Sequence, residues 1–519
     1  MSVCKTILAY FRLFFDKLID FIFSLYWDDK KEIIPDLDKE HAMLAESAVT
    51  LARKIKQKEL KSEELVKAVI ERIKLVNPIV NAITTARYEE ALEDAREVDR
   101  QISQGLSEEQ AKKPFLGVPF TTKESQAIKG MPMTLGTLTK KNEVAVEDSE
   151  AVVLMKKAGA IPLAATNLPE LLIWQETRNP VYGMTLNPHH TGRSPGGSSG
   201  AEAALTATYA TPISLCSDIG GSTRMPAFYC GMFGHHPTAG STDTTGVLFR
   251  KGNDESSMFT LGFISKHVED LAPLTKVIAG DKGKLMKLDS QRNIKDLKFY
   301  YLEGSDDCLI CPLRSEMTQA MDRVIKNLKS KLNVEVLPYR HEGFNNMYQL
   351  WAYWMSKEPE KYSKIATNGK GEADGWMELL KKMVGMSQYY LFSIMRFIEE
   401  KHITRLVDAK WAEEVTNSMK TDLRNKLGDN GVLLLPSAPQ AAPYHYSCYL
   451  RPFNFGFFGI VNVLKCPATQ VPLGTNGQGL PIGIQVLSTP YNDALCLEVA
   501  KYLEKEFSGS IMACKVKQK

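Results

Sequence analysis

Two glycine turns constrain this chain more than any other feature. One reads GGSSGAEAAL at 196–205, the other DIGGSTR at 218–224. Each sets a serine directly after two glycines, at Ser198 and Ser222. Glycine allows backbone angles and close approaches that a Cβ blocks. Successive N–H groups in a tight turn converge on an anion, and amide hydrolysis develops negative charge on a carbonyl oxygen. The turn Asp218-Ile219-Gly220-Gly221-Ser222 would therefore set donors beside Ser222. Taken alone, it fits a phosphate nest or a plain tight turn equally well.

A serine nucleophile needs a base. The pattern G-x-S-x-G occurs as GRSPG at 192–196 and GGSSG at 196–200, but polar residues precede both, where a nucleophile elbow needs a strand. Pro195 also lacks the N–H that an elbow places after its serine. Folding could bring His189, His190, His235 or His236 near, and spacing selects none of them. A lysine is a base only while neutral, which requires a lowered pKa. Lys123, in TTKES after a buried-looking strand, is a candidate on those terms.

Organisation follows from the apolar patterns. PFLGVPFTTKES (114–125), IPLAAT (161–166), ATPISLCSDIGGS (210–222), DLKFYYLEG (296–304) and GVLLLPSAP (431–439) read as buried strands. Stretches 37–60, 61–78 and 86–103 read as helices, with Ser62 as an N-cap and Pro78 as a stop. The region from about 315 to 427 is largely helical in pattern. The alternation predicts an α/β fold: one catalytic body over 38–519 behind an arm over 1–37. With 44% hydrophobic and 24% charged residues, the chain can bury a large core. A net charge of +3, with no basic stripe, excludes nucleic acid as the expected partner.

The arm contains TILAYFRLFFDKLIDFIFSLYW at 6–27. Arg12, Asp16 and Asp20 fall at i, i+4 and i+8 and share one helix face. Phe11, Phe14, Leu18, Ile22 and Leu25 belong to a wide apolar face. Central charges disfavour a spanning segment, so the expected state is an amphipathic helix lying in a membrane surface. The alternatives are a single-pass anchor and an arm packed on the body or on a second subunit.

Three stretches together are more specific than any one of them. GVPFTTKES, GRSPGGSSGAEAAL and SDIGGSTRMPAFYCGMFGHHPT, with LGFISKHVEDLAPLTKVIAG, LLLPSAP and GLPIGIQVLS further on, resemble the amidase signature family over roughly 45–500. The resemblance implies a central mixed sheet surrounded by helices and a Ser-Ser-Lys triad. It makes Ser222 the nucleophile, Ser198 the bridging serine after a cis Gly197–Ser198 bond, and Lys123 the base. It assigns the oxyanion hole to the N–H groups of Ile219, Gly220, Gly221 and Ser222. Ser199 becomes a hydroxyl beside the triad, and Arg224 a candidate for holding the turn. The chain departs from the family at Ala201, where glycine is common, and at His236, where lysine is usual.

The implied activity is hydrolysis of carboxylic amides through an acyl-enzyme, with long-chain fatty-acid amides favoured and no metal or organic cofactor required. MSQYYLFSIMRFIEE (386–400) sets Tyr390, Ile394 and Phe397 at nearly helical spacing, as either a membrane-facing portal helix or buried packing. The expected setting is a membrane surface with the catalytic domain in the cytosol, and a homo-oligomer is left open. The competing readings are a soluble small-amide amidase, an inactive lipid-binding scaffold and an amidotransferase subunit.

Overall fold

The apolar runs of the sequence become strands of one eleven-stranded sheet. The computed structural model describes residues 3–517 except 248, 249, 251, 253, 254, 291, 360, 404–406 and 508; for residues 3–9 it describes the backbone alone. From one edge the order is Ile83–Ala86, Ile161–Thr166, Pro119–Lys123, Ile213–Asp218, Thr260–Ser265, Phe233–His236, Ala468–Thr475, Pro481–Leu487, Gly431–Pro436, Lys298–Leu302 and Val336–Tyr339. Two groups of three neighbours are parallel: those around Pro119–Lys123 and those around Lys298–Leu302. Antiparallel pairs join them. Helices surround this mixed sheet, as the α/β reading predicts. Strands buried on both faces read as continuous apolar runs rather than alternations. Every residue of Ile161–Thr166 and Gly431–Pro436 is buried accordingly.

The sheet also places the chemistry. Lys123 ends its strand, and Ser217 is the penultimate residue of the parallel neighbour. Both stand at carboxyl ends of strands, where open α/β sheets hold their ligands.

The N-terminal helices differ from their sequence reading. The stretch 37–60 is a 3₁₀ segment, Lys39–Ala45, followed by helix Ala48–Lys56. Ser47 caps that helix by accepting from Thr50 N–H at 3.1 Å. The next helix is Ser62–Val80 and carries Pro78 inside it. Ser62 is not its cap, because the Ser62 hydroxyl donates to Gly117 O at 2.8 Å. Asp99, from helix Tyr88–Gln104, accepts from the Ser62 and Glu63 N–H groups instead, at 2.8 and 3.0 Å. Strand Val336–Tyr339 interrupts the helical region between 315 and 427.

Helix Val3–Trp27 lies against the body with Arg12, Asp16 and Asp20 on its inward face. Asp16 pairs with Arg451 at 2.9 Å and with Arg314 at 2.5 Å; Asp20 pairs with the same two arginines at 2.6 and 2.7 Å. Burial alone would raise the Asp20 carboxyl, but Arg451 and Arg314 hold it below its usual range. Arg12 donates to Ile310 O. The stripe read from the sequence is thus a docking face, while Phe11, Phe14, Phe21, Ile22 and Leu25 point outward and stay exposed. At the end of the helix Trp27 packs on His445, ring centroids 5.1 Å apart, and just beyond it Asp28 accepts from Tyr444 O–H at 2.7 Å. Among the described residues no helix is long and apolar enough to cross a membrane.

Candidate active site

Lys123 is completely buried. Its Nζ donates to Ser198 Oγ at 2.7 Å and to Ser217 Oγ at 3.0 Å. Burial takes the ammonium out of water and brings its pKa down to about 7, against the opposing pull of Cys216, Asp218 and Glu202. A lysine with that pKa is substantially neutral at neutral pH, as a proton acceptor must be.

Ser198 follows a cis Gly197–Ser198 peptide bond. The loop is held closely on both sides. A Cβ on Gly197 would lie 2.2 Å from Trp174 O. Thr177 clamps the turn, its hydroxyl donating to Gly196 O at 2.9 Å and accepting from Gly200 N–H at 3.1 Å. Ser199 N–H donates to Ser222 O at 3.2 Å, so the two serine turns hold each other. The Ser199 hydroxyl is buried beside the Cys216 thiol.

Asp218 organises the second turn. Its carboxylate accepts from Gly221 N–H at 2.7 Å, Thr223 N–H at 3.1 Å and Asn462 Nδ2 at 3.0 Å. Arg224 adds Nε and Nη2 at 3.1 and 3.0 Å, and reaches Gln485 and Asn462 at 2.7 Å each. Burial pushes the Asp218 carboxyl up, but the Arg224 charge and the hydrogen bonds from Arg224 and Asn462 override it and hold the group well below the carboxylate range. Arg224 therefore holds the turn through Asp218.

The four residues expected to supply oxyanion donors are placed differently. The Gly221 N–H is committed to Asp218, whereas Ile219, Gly220 and Ser222 border a cavity of about 250 Å³. Trp351 closes over the turn, its Nε1–H donating to Ile219 O at 2.9 Å.

The four candidate histidines have other neighbours than the two serines. His236 Nδ1 is 3.7 Å from Asp218 Oδ1, and burial lowers its pKa to about 3, so it is neutral. His235 contacts Thr469 Oγ1 at 2.9 Å, His189 contacts Cys230 O at 3.0 Å, and His190 contacts Asp28 at 3.1 Å.

The cavity wall includes helix Leu391–Ile398, but not through the face marked by spacing. Ile394 and Phe397 are core residues, while Phe392, Met395, Arg396 and Ile398 line the cavity. Glu170 secures this helix, accepting from Tyr390 N–H at 2.8 Å and Ser393 O–H at 2.7 Å. Sequence reasoning missed Ser217, Glu170, Trp351 and Arg396. Only Ser217 left a signal, as a hydroxyl immediately before Asp-Ile-Gly-Gly at the end of an apolar strand.

Residues 64–497 match the Amidase family model. The chain is 39% identical over 481 residues to fatty-acid amide hydrolase 2 of Homo sapiens, covering 90% of each chain. It is 29% identical to one component of a glutamyl-tRNA(Gln) amidotransferase of Clostridium acetobutylicum, covering 88% of this chain and 98% of that one. The solved structure of a fatty acid amide hydrolase shares the fold, with a TM-score of 0.70, 21% identity and coverage of 91% and 87%. The protein belongs to the amidase signature family and is an amidase similar along most of its length to fatty-acid amide hydrolase 2.

Proposed function

We propose that this chain hydrolyses long-chain fatty-acid amides at a membrane surface, through an acyl-enzyme on Ser222 and a Ser222–Ser198–Lys123 proton relay. The observation that carries this reading is Lys123, buried, with a pKa near 7 and 2.7 Å from Ser198, behind a serine that borders an apolar cavity. Neutral Lys123 accepts a proton from Ser198 as Ser198 accepts one from Ser222. Ser222 Oγ attacks the amide carbonyl, and the N–H groups of Ile219, Gly220 and Ser222 receive the charge on its oxygen. The proton returns through Ser198 to the leaving nitrogen as the C–N bond breaks. Water hydrolyses the ester by the same route, regenerating Ser222. Ser217 orients Lys123, and Ser199 ties the two turns together.

Substrate class and membrane contact rest on apolar surface. Trp351, Phe392, Phe453 and Phe455 wall the cavity, and such a lining suits a hydrocarbon chain. Outside it, helix Gly375–Met383 exposes Trp376, Met377, Leu380 and Met383. Gly375 packs so closely on Ile398, a cavity residue, that a Cβ would come within 2.6 Å of it. A lipid amide entering from a membrane would thus cross one layer of side chains. The aromatic face of helix Val3–Trp27 supplies a second apolar surface. A panel of primary amides of increasing acyl length tests the reading: kcat/KM should rise steeply with chain length. Equal rates for short and long amides would favour the small-amide alternative. Activity seen only with an ammonia-supplying partner would favour the amidotransferase alternative.

A further inference from the structure

One ion pair interrupts the apolar lining of the cavity. Arg396 and Glu399 both border it, at the end of helix Leu391–Ile398. Arg396 Nη1 donates to Glu399 at 3.0 Å, and Tyr348 O–H donates to the other carboxylate oxygen at 2.8 Å. Arg396 is 5% exposed, its guanidinium stands 5.4 Å from the Tyr362 ring, and its Nε–H has no acceptor. A wall that only enclosed hydrocarbon would gain little from this arrangement, because apolar residues of similar volume often replace a buried ion pair without loss of stability.

We propose that Arg396, Glu399 and Tyr348 form a polar subsite for a neutral hydroxyl carried on the acyl chain of the substrate. The chemistry of the three groups selects that class. The pair is balanced in charge, so an anion meets Glu399 and a cation meets Arg396. A hydroxyl both accepts and donates. It can accept from the Arg396 guanidinium, which borders the cavity, and give its own proton to a remaining lone pair of Glu399. The surrounding lining is apolar, which assigns the hydroxyl to the acyl part rather than the amine.

The helix carrying Tyr348 sets the position along the chain. Tyr348 lies one turn before Trp351 in helix Met347–Met355, and Trp351 abuts the turn that holds Ser222. One turn is ~5 Å along the axis. The subsite is thus offset from the Ser222 turn by about one helical turn, which places it along the acyl chain rather than at the carbonyl. This inference rests on the fatty-acid amide reading for the acyl group, and the subsite itself is read from the cavity.

The test measures binding apart from turnover. Decanamide and its singly hydroxylated positional isomers are titrated calorimetrically into Ser222→Ala protein, and kcat/KM for the same amides is measured with the wild type. At least one positional isomer should bind about tenfold more tightly than decanamide, since hydrogen bonds to charged groups are the stronger ones. Adding Arg396→Met with Glu399→Leu should erase that advantage while decanamide still binds. Glu399→Gln, which keeps the shape, should reduce it and serves if the double change prevents folding. Absence of any preferred isomer, or an advantage unchanged in the folded variants, would overturn the proposal. Failure of the wild type to hydrolyse any amide would instead overturn the functional reading, and the binding comparison would still decide the subsite.

Discussion

Asp16 Oδ1 stands 2.9 Å from Arg451 Nη1, and both side chains are 2% exposed. The relationship joins the N-terminal helix to the segment that carries Pro452, Phe453 and Phe455 into the cavity wall. The arm is therefore part of the architecture that shapes the cavity.

Removing one partner of a buried ion pair leaves the other charge uncompensated. Asp16→Asn should lower the free energy of unfolding by about 3 kcal/mol, at the low end of the range for such losses, because Asp20 still faces both arginines. Denaturant titration reads this directly. An unchanged midpoint would mean that the helix does not dock through this face.

The outward face answers to a different measurement. Phe14, Ile22 and Leu25 are exposed and make no part of the charged contact. Changing all three to serine should cut vesicle partitioning at least tenfold, because each apolar side chain contributes roughly 1.5–3 kcal/mol when buried. The unfolding midpoint should stay where it is. Unaltered sedimentation with vesicles would shift the membrane contact to the Gly375–Met383 surface.

The Lys123 base predicts the sign of the pH dependence. Burial lowers its pKa to about 7, and only the neutral amine accepts a proton. For a soluble amide, kcat/KM should fall as pH drops below about 7 and level off above it. Ser217→Ala removes an acceptor of the protonated amine, which disfavours the charged form. The rising limb should move to lower pH with a reduced kcat and an unchanged KM. A profile flat across neutrality would remove Lys123 as the base.

The glycine turn is the least tolerant part of the site. Gly221 has φ +112°, and a Cβ there would come within 2.3 Å of Phe458 Cβ. Gly221→Ala should break the Asp218-centred turn and reduce kcat at least about a hundredfold, in line with loss of oxyanion donors. Full activity in this variant would show that the turn tolerates displacement.

The parts of the site that were legible in the sequence are those that lie close together in the chain. The two Gly-Gly-Ser turns and the strand ending in Lys123 carry the proposed chemistry within short segments. Other parts depend on pairings that no local pattern encodes. Arg314 reaches Asp16 across 298 positions, so the periodicity marked a charged stripe but not the direction it faces. Glu170 caps the cavity helix from 223 positions before Ser393. The same helix shows how spacing misleads: Ile394 and Phe397 fall on one face because they are core, and the cavity takes the other face. Ser62 has the composition of a cap, but a tertiary partner, Asp99, performs that role.

Acyl-enzyme formation on Ser222 can be read with a serine-directed covalent probe and intact mass. Wild-type protein should gain a single adduct, Ser222→Ala should gain none while keeping its unfolding midpoint, and Lys123→Ala should label roughly 10²–10⁴-fold more slowly. Normal labelling of folded Ser222→Ala protein would contradict the account and place the nucleophile elsewhere.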